Sequence, residues 1–237
     1  MALLWPSVLI PSSEAWNPNK GASKSGGRSI TNQEQVVVGP TGYVTARLTV
    51  PVNNPPKVLA MTALLAGLDG RAGTVLVGPR EGSRAPWGAD PLTGGRITKG
   101  RGDRDAALDP AWDTNADTSA DLDFRLFASA AMNATTLTIQ RNRGGPLIPG
   151  MKFGIGERLH TIAALTTPDP AGAGGLAVPG AIGVTVRPWL RADYAAGTTL
   201  EFARPRCVMR RASDDDGEIE LQLSRMGVVT LDLVEAF

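Results

Sequence analysis

The sequence predicts an all-β protein, mainly antiparallel, with one α-helix at about residues 55–68. Three observations support this class. The 237 residues include 28 Gly and 18 Pro, which favours many turns. Between Tyr43 and Val50, polar and apolar side chains alternate with the period of two that marks a half-buried strand. From Leu147 to Phe202, short apolar runs are separated by turn signals, which predicts a small β module. Its third strand is expected to reach Trp189, with Pro188 at a strand end or edge because proline lacks an amide donor.

Composition excludes several classes of protein. The chain has 24 Lys and Arg against 23 Asp and Glu, so charge gives no reason to expect a nucleic-acid partner. The one cysteine, Cys207, cannot form an intrachain disulfide and is expected to be a small core residue. No apolar run approaches the roughly 20 residues that span a membrane. The first residues lack the features of a signal peptide, so we expect a soluble protein with no membrane partner.

The N-terminal region predicts a strand followed by a polar segment. Apolar residues suggest a first strand with a docked aromatic: Leu3, Trp5, Val8, Ile10 and then Trp16. Residues 17–33 are rich in Gly and Ser, and their charged side chains, Lys20, Lys24 and Arg28, are all positive. This composition fits either a solvated loop or an extended hairpin arm that orders against a neighbouring subunit. In the second case Lys20, Lys24 and Arg28 are candidate inter-subunit residues.

A helix follows the strand that starts at Tyr43. Asn54 can cap its N-terminus, Pro55 fits the first helical position, and apolar residues recur at helical spacing as far as Leu68. Gly70 is suited to the C-terminal stop, and residues 73–77 then predict a short strand.

Residues 80–120 are polar and Gly-rich and show no sustained periodicity, which indicates a functional, inserted or partner-held segment. Within it, oxygen-bearing residues at 113, 115, 117 and 119 alternate as in a calcium loop. However, Thr118 and Phe124 stand where an EF-hand requires Gly and a bidentate Glu, so no metal site is predicted.

The last part of the chain predicts three strands, Cys207–Ala212, Glu218–Leu223 and Val228–Val234. A hydrophobic strand near the C-terminus is expected to pair with N-terminal strands. The block at 120–205 would then be an insertion into one domain built from both ends of the chain.

Few residues suggest chemistry. The only histidine, His160, is expected to be a structural strand residue, and a hydrolase that uses it with Asp193 is the alternative. No phosphate-binding loop is present. We therefore expect neither an enzyme nor a cofactor. A second alternative is a carbohydrate- or receptor-binding module whose stacking aromatics would be Trp87, Trp112, Trp189 and Tyr194, with Trp189 and Tyr194 as the main candidates.

Three phrases of the sequence carry a family resemblance. They are Trp5-Pro6 with Trp16; KVLAMTALLAGLDGRAGTVLV at 57–77; and PGMKFGIGERLHTIAAL at 149–165 followed by VTVRPWLRADYAAGTTLEFARPRCVMR at 184–210, with Glu235-Ala236-Phe237 at the end. Together they resemble the minor tail proteins of long-tailed bacteriophages, of the distal tail protein type.

The resemblance implies a ring-forming β-sandwich or barrel domain at residues 1–80 and 205–237. It also implies an accessory, barrel-like β module at 121–204, whereas the polar loop at 81–120 has no counterpart in it. The expected function is a virion structural protein, assembled in the host cytoplasm. It would form a homo-oligomeric, hexameric ring that joins the tail tube protein to the hub or tip proteins of the tail.

Overall fold

The computed structural model of the protein describes residues 2–28, 30–80, 85–87, 122–169, 180–214, 216–217 and 227–237. The predicted fold class is confirmed: the described chain is mainly antiparallel β, with a single helix and a closed six-stranded barrel. Its elements are β1 (Leu3–Leu4), β2 (Ser13–Lys20), β3 (Ser23–Arg28), β4 (Glu34–Val38), β5 (Tyr43–Val52), α1 (Pro55–Leu68), β6 (Val75–Val77), β7 (Asp123–Leu126), β8 (Thr136–Arg143), β9 (Lys152–Ile155), β10 (Arg158–Leu165), β11 (Gly180–Arg187), β12 (Thr199–Glu201), β13 (Cys207–Arg211) and β14 (Gly227–Glu235).

A six-stranded sheet is built from both ends of the chain. Its strand order is β1-β6-β13-β14-β5-β2, and all neighbours are antiparallel except β1 and β6. The predicted pairing between the C-terminal strand and an N-terminal strand is confirmed, because β14 lies beside β5 with Gly227 opposite Val52 and Val234 opposite Thr45. The alternation predicted for β5 is also confirmed: its even-numbered residues from Val44 to Val52 are buried on one face of the sheet.

The helix begins where the sequence predicts. The side-chain oxygen of Asn54 accepts a hydrogen bond from the Lys57 amide at 3.0 Å, and Pro55 occupies the first turn. Asp69 caps the other end in the left-handed conformation, which puts Gly70, with a φ of 65°, at the position after the cap where the stop was predicted. The helix buries three side chains in the core of the sheet: Met61, Leu64 and Leu68.

The barrel has the closed strand order β10-β11-β8-β7-β12-β9. Its interior is filled by side chains that include Phe124, Ile139, Phe153, Val184 and Phe202. One barrel residue, Leu159 of β10, is instead buried in the core of the six-stranded sheet. Close to it, the carbonyl oxygen of Glu157 accepts a hydrogen bond from the amide of Val208 in β13 at 3.1 Å. The turn between β9 and β10 therefore contacts the six-stranded sheet.

The strand predicted to include Trp5, Val8 and Ile10 is wrong. Only Leu3 and Leu4 form β1, because prolines at 6 and 11 interrupt the run and lack amide donors. Instead the chain turns, and the Trp5 side chain donates from Nε1 to the Leu9 carbonyl at 2.7 Å. Trp16 is part of β2, and its side chain packs, partly buried, against the core of the sheet.

The end of β11 also differs from expectation. The third strand of the 147–202 region was expected to reach Trp189, but β11 ends at Arg187, immediately before Pro188. This places Pro188 at a strand end, as predicted. The strand expected at 218–223 lies outside the described residues, as does almost all of the 80–120 segment apart from residues 85–87.

Candidate functional site

A buried carboxylate joins the six-stranded sheet to the barrel. Glu235 is the last residue of β14, and its inward position follows the alternation of Val229, Leu231 and Leu233 on that strand. Only 2% of its surface is exposed. Its Oε2 atom accepts a hydrogen bond from the Val44 amide at 3.1 Å, which connects the carboxylate to the start of β5.

Two arginines from the barrel face this carboxylate. Arg158 Nη1 lies 3.5 Å from Oε1 of Glu235, and Arg191 Nη2 lies 3.4 Å from Oε2. Arg158 also donates to the carbonyl oxygen of Ala236. The ring of Phe237 lies 5.5 Å from the Arg158 guanidinium carbon and 4.9 Å from that of Arg191, within the range of cation–π attraction. We call Glu235, Phe237, Arg158 and Arg191 the joint.

The joint can hold two bodies in a fixed orientation, but its geometry offers no chemistry. A buried carboxylate without partners is costly, whereas here two cations and an amide compensate it. Because Arg158 and Arg191 come from the barrel and Glu235 from the sheet, these contacts exist only when the two are correctly docked.

The polar segment at 17–33 supplies β3, one strand of a β-hairpin whose other strand, β4, follows at Glu34–Val38; this agrees with the hairpin shape of the predicted arm, and its ordering against a neighbouring subunit stays a prediction. β3 and β4 form a two-stranded sheet separate from the other strands of the described chain. Lys24 lies opposite Val37, and Ser25 lies opposite Val36. We call residues 23–38 the arm.

The described side chains of the arm are exposed on both of its faces. Val36, Val37 and Val38 are 53%, 57% and 56% exposed, which is unusual for three consecutive valines in a strand. Lys24 is exposed, and Lys20, at the end of β2, is exposed just before the arm. The side chain of Arg28 lies outside the described residues. The structure therefore brings Lys20 and Lys24 to the arm and its base, and whether they contact a neighbouring subunit stays a prediction.

His160 is buried and hydrogen-bonded to the backbone. Its Nδ1 atom lies 3.0 Å from the carbonyl oxygen of Pro188, so Nδ1 carries the proton. Burial is the main cause that lowers the pKa of His160 to about 4, with smaller contributions from the Arg191 and Arg158 guanidiniums. Asp193, its suggested catalytic partner, instead accepts a hydrogen bond from the Met132 amide at 2.7 Å. The structure does not pair these two side chains.

Cys207 lies in the core of the sheet, as predicted. Burial, and then the Glu235 carboxylate, raise the pKa of its thiol to about 12. The thiolate form that reacts as a nucleophile is therefore scarce at neutral pH.

Trp189 and Tyr194 do not form a shared stacking platform. Trp189 follows the end of β11 and is partly buried, and within the described part of the chain its Nε1 has no hydrogen-bond partner. Tyr194 packs against the barrel core, and its backbone pairs with Ala130. Burial raises the pKa of the Tyr194 hydroxyl.

Trp87 lines an open depression of about 510 Å³ beside the barrel. The other lining residues are Ala85, Pro86, Pro146, Ile148, Pro149, Gly150 and Met151. Among these described lining residues none has a charged side chain or a hydroxyl, amide or imidazole group, whereas a sugar site combines a stacking aromatic with such groups. The depression therefore gives no support to carbohydrate binding.

Other predicted features lie outside the described residues or lack the groups they need. Trp112 and the calcium-like run at 113–119 lie outside. Within the described ranges, no three His, Cys, Asp or Glu side chains are grouped closely enough to hold a metal ion. The described chain also contains no helix with the length and apolar character to cross a membrane.

The sequence did not lead us to predict the joint, although a local pattern could have placed one of its residues, Glu235. The strand was expected to end at Val234, with Glu235 beyond it. Extending the alternation of β14 by one step would have placed Glu235 on the apolar face. The partners Arg158 and Arg191 lie 77 and 44 positions away from it, and no local pattern indicates them.

Neither the protein-family models nor the sequences of curated proteins give a match to this chain.

Proposed function

We propose that this protein is a structural component of a bacteriophage tail, of the distal tail protein type. It forms a homo-oligomeric ring, of the six copies that the resemblance implies, and the ring connects the tail tube protein to the hub or tip proteins of a virion. The observation that carries the assembly part of this proposal is the exposed arm.

The arm needs a partner for physical reasons. A two-stranded hairpin is marginally stable in water on its own. Among the described strands, neither β3 nor β4 pairs with a third strand, so each has an edge of the kind that can pair with another chain. The three valines add exposed apolar surface, and burying that surface against a partner lowers the free energy.

A second copy of the chain is the partner that fits. The arm and its base expose Lys20 and Lys24 together with Glu34, and the corner of the sheet after α1 exposes Asp69 and Asp214 together with Arg71, so each surface offers charges that can pair with the other. Arm and corner are different surfaces, so contact between them is heterologous, and repeated heterologous contacts close into a ring when the rotation permits.

A structural role also fits the state of the residues that could have served catalysis. His160 has a pKa of about 4 and Cys207 has a pKa of about 12, so one is a poor base and the other a poor nucleophile at neutral pH. Both are buried, which favours packing over turnover.

The assembly is tested by mass photometry and negative-stain microscopy of the purified chain over a range of concentrations. We expect closed rings that dissociate on dilution. Combining Val36→Lys with Val38→Lys should abolish them, because each change places a charge in the apolar contact. The matched control is Val228→Lys, a β14 valine that is 58% exposed and lies away from the arm.

A wild-type chain that is monomeric at every concentration would contradict the ring, as would an arm variant that assembles like the wild type. The tail assignment is tested separately by immunogold labelling of virions that encode the protein. Label at the junction between tube and tip is expected, and unlabelled virions would remove the tail from the proposal.

The alternative, carbohydrate or receptor binding, stays a prediction from the sequence. It is tested with a glycan array and with Trp189→Ala and Tyr194→Ala. We expect no glycan to bind, and a hit lost in either variant would favour this alternative.

A further inference from the structure

One guanidinium connects three separate parts of the fold. Arg191 comes from the barrel, beyond the end of β11, and only 12% of its side chain is exposed. Its Nη1 atom donates to the carbonyl oxygen of Pro40 at 3.0 Å, and its Nη2 atom donates to the carbonyl oxygen of Gly42. The same Nη2 lies 3.4 Å from Glu235 on the sheet.

Pro40 and Gly42 belong to the root of the arm, the loop between β4 and β5. The facing side of the root is residues 21–22, which connect β2 to β3. The two sides are held together by hydrogen bonds from the Thr41 hydroxyl to the Gly21 carbonyl and from the Gly39 amide to the Ala22 carbonyl, both at 2.9 Å. Ala22 is only 5% exposed, so the root is packed although the arm above it is not.

The chemistry at this point requires arginine. A guanidinium presents donors in a planar fork, so it can bind two carbonyl oxygens and a carboxylate in one fixed arrangement. A lysine ammonium carries the same charge but has no fork and lies on a flexible stem.

Glu235 completes the arrangement from the sheet. The Oε2 atom that faces Arg191 also accepts the Val44 amide, two residues after Gly42. The arm root, the sheet and the barrel therefore meet at one carboxylate oxygen and one guanidinium.

We propose that Arg191 is a positioning residue through which the barrel sets the direction of the arm. The barrel braces the arm root, so that the arm leaves the sheet at one angle. Its consequence for assembly rests on the proposed ring: the barrel would be needed for ring closure because it directs the arm, without itself forming the contact between copies.

The brace is tested by measuring the distance between two spin labels at concentrations where the chain is dilute. Ser25→Cys places one label on the arm and Ser129→Cys places the other on the barrel, and both positions are exposed. The native Cys207 is buried and stays unlabelled. Three backgrounds are compared: unchanged, Arg191→Lys and Arg187→Lys. Arg187 is the matched control, because its Nη1 donates to the adjacent Val186 carbonyl rather than to the arm root.

We expect a narrow distance distribution in the unchanged and Arg187→Lys backgrounds and one about twofold broader in Arg191→Lys. Equal widths in all three backgrounds would overturn the brace. If Arg191→Lys does not fold, Arg191→Gln is used instead, because its side-chain amide keeps one donor for the arm root. The hydrogen exchange of residues 34–44 is then measured in place of the distance between the spin labels. Faster exchange confined to that segment is expected, and unchanged or uniformly faster exchange would overturn the proposal.

These outcomes separate the brace from the ring. A chain that is monomeric but shows the narrow distribution retains the brace and loses the ring. A chain that forms rings with equal widths in every background retains the ring and loses the brace.

Discussion

Arg191 Nη2 lies 3.4 Å from Glu235 Oε2, and this largely buried pair connects the barrel to the six-stranded sheet. A surface ion pair of this length would contribute little, but here the carboxylate is fully buried and the guanidinium is 12% exposed. What matters for stability is the cost of leaving either charge without its partner.

Removing the Glu235 charge is expected to destabilise the fold strongly. Glu235→Ala leaves two guanidiniums facing an apolar core edge, and breaking a buried pair in this way costs about 3–5 kcal/mol. Glu235→Gln keeps an oxygen for the Val44 amide and should cost less. Urea denaturation followed by circular dichroism measures both changes.

The control for this prediction is Asp232→Asn on the same strand. Asp232 pairs with Arg47 at 2.6 Å on the outer face of the sheet, where water screens the interaction. We expect its transition midpoint to stay close to that of the wild type. Equal losses in the Glu235 and Asp232 variants would mean that the joint is no stronger than a surface pair.

His160 is expected to make the fold sensitive to mild acid. Its pKa is about 4 in the folded chain and 6.5 in the unfolded chain, so the unfolded state binds the proton first as pH falls. Its contribution is fully present above pH 6.5 and is lost as pH falls to about 4. The difference of the two pKa values corresponds to a loss of about 3 kcal/mol.

Carboxylates also titrate in this range, so the comparison is made with His160→Asn, whose amide can still donate to the Pro188 carbonyl. The free energy of unfolding should fall more steeply between pH 6.5 and pH 4 in the wild type than in this variant. Parallel curves would show that His160 is protonated as easily in the fold as in the unfolded chain.

Local physics made much of the fold predictable. The Asn54 cap and the following proline fixed the start of α1, because both act through bonds within one turn. Alternation identified β5, because a sheet with one covered face sorts side chains with a period of two. The fold class followed from many such segments.

The contacts that fix the barrel on the sheet were beyond such reasoning. Leu159 resembles any other strand residue, yet it enters the core of the sheet rather than that of the barrel. Glu235 was placed beyond the end of its strand, and no local pattern predicts a charge on an apolar face, where it is unfavourable without partners. Those partners, Arg158 and Arg191, become neighbours only after the two bodies dock.

Gly42 is expected to tolerate no side chain, because the arm root is closed around it. A Cβ atom there would lie 1.9 Å from the Asn19 Oδ1 atom and 2.8 Å from the Ala22 Cβ atom. Asn19 can rotate away, but Ala22 can move only with its backbone. Gly42→Ala should therefore cost about 1–3 kcal/mol, the usual range for overpacking.

Gly39→Ala is the matched control in the same loop, because a Cβ atom there meets nothing within 4 Å. Its effect should be close to zero or slightly stabilising, since alanine restricts the unfolded chain. Thermal unfolding of the two variants measures the difference, and equal midpoints would show that the root yields easily and cannot transmit the position of the barrel to the arm.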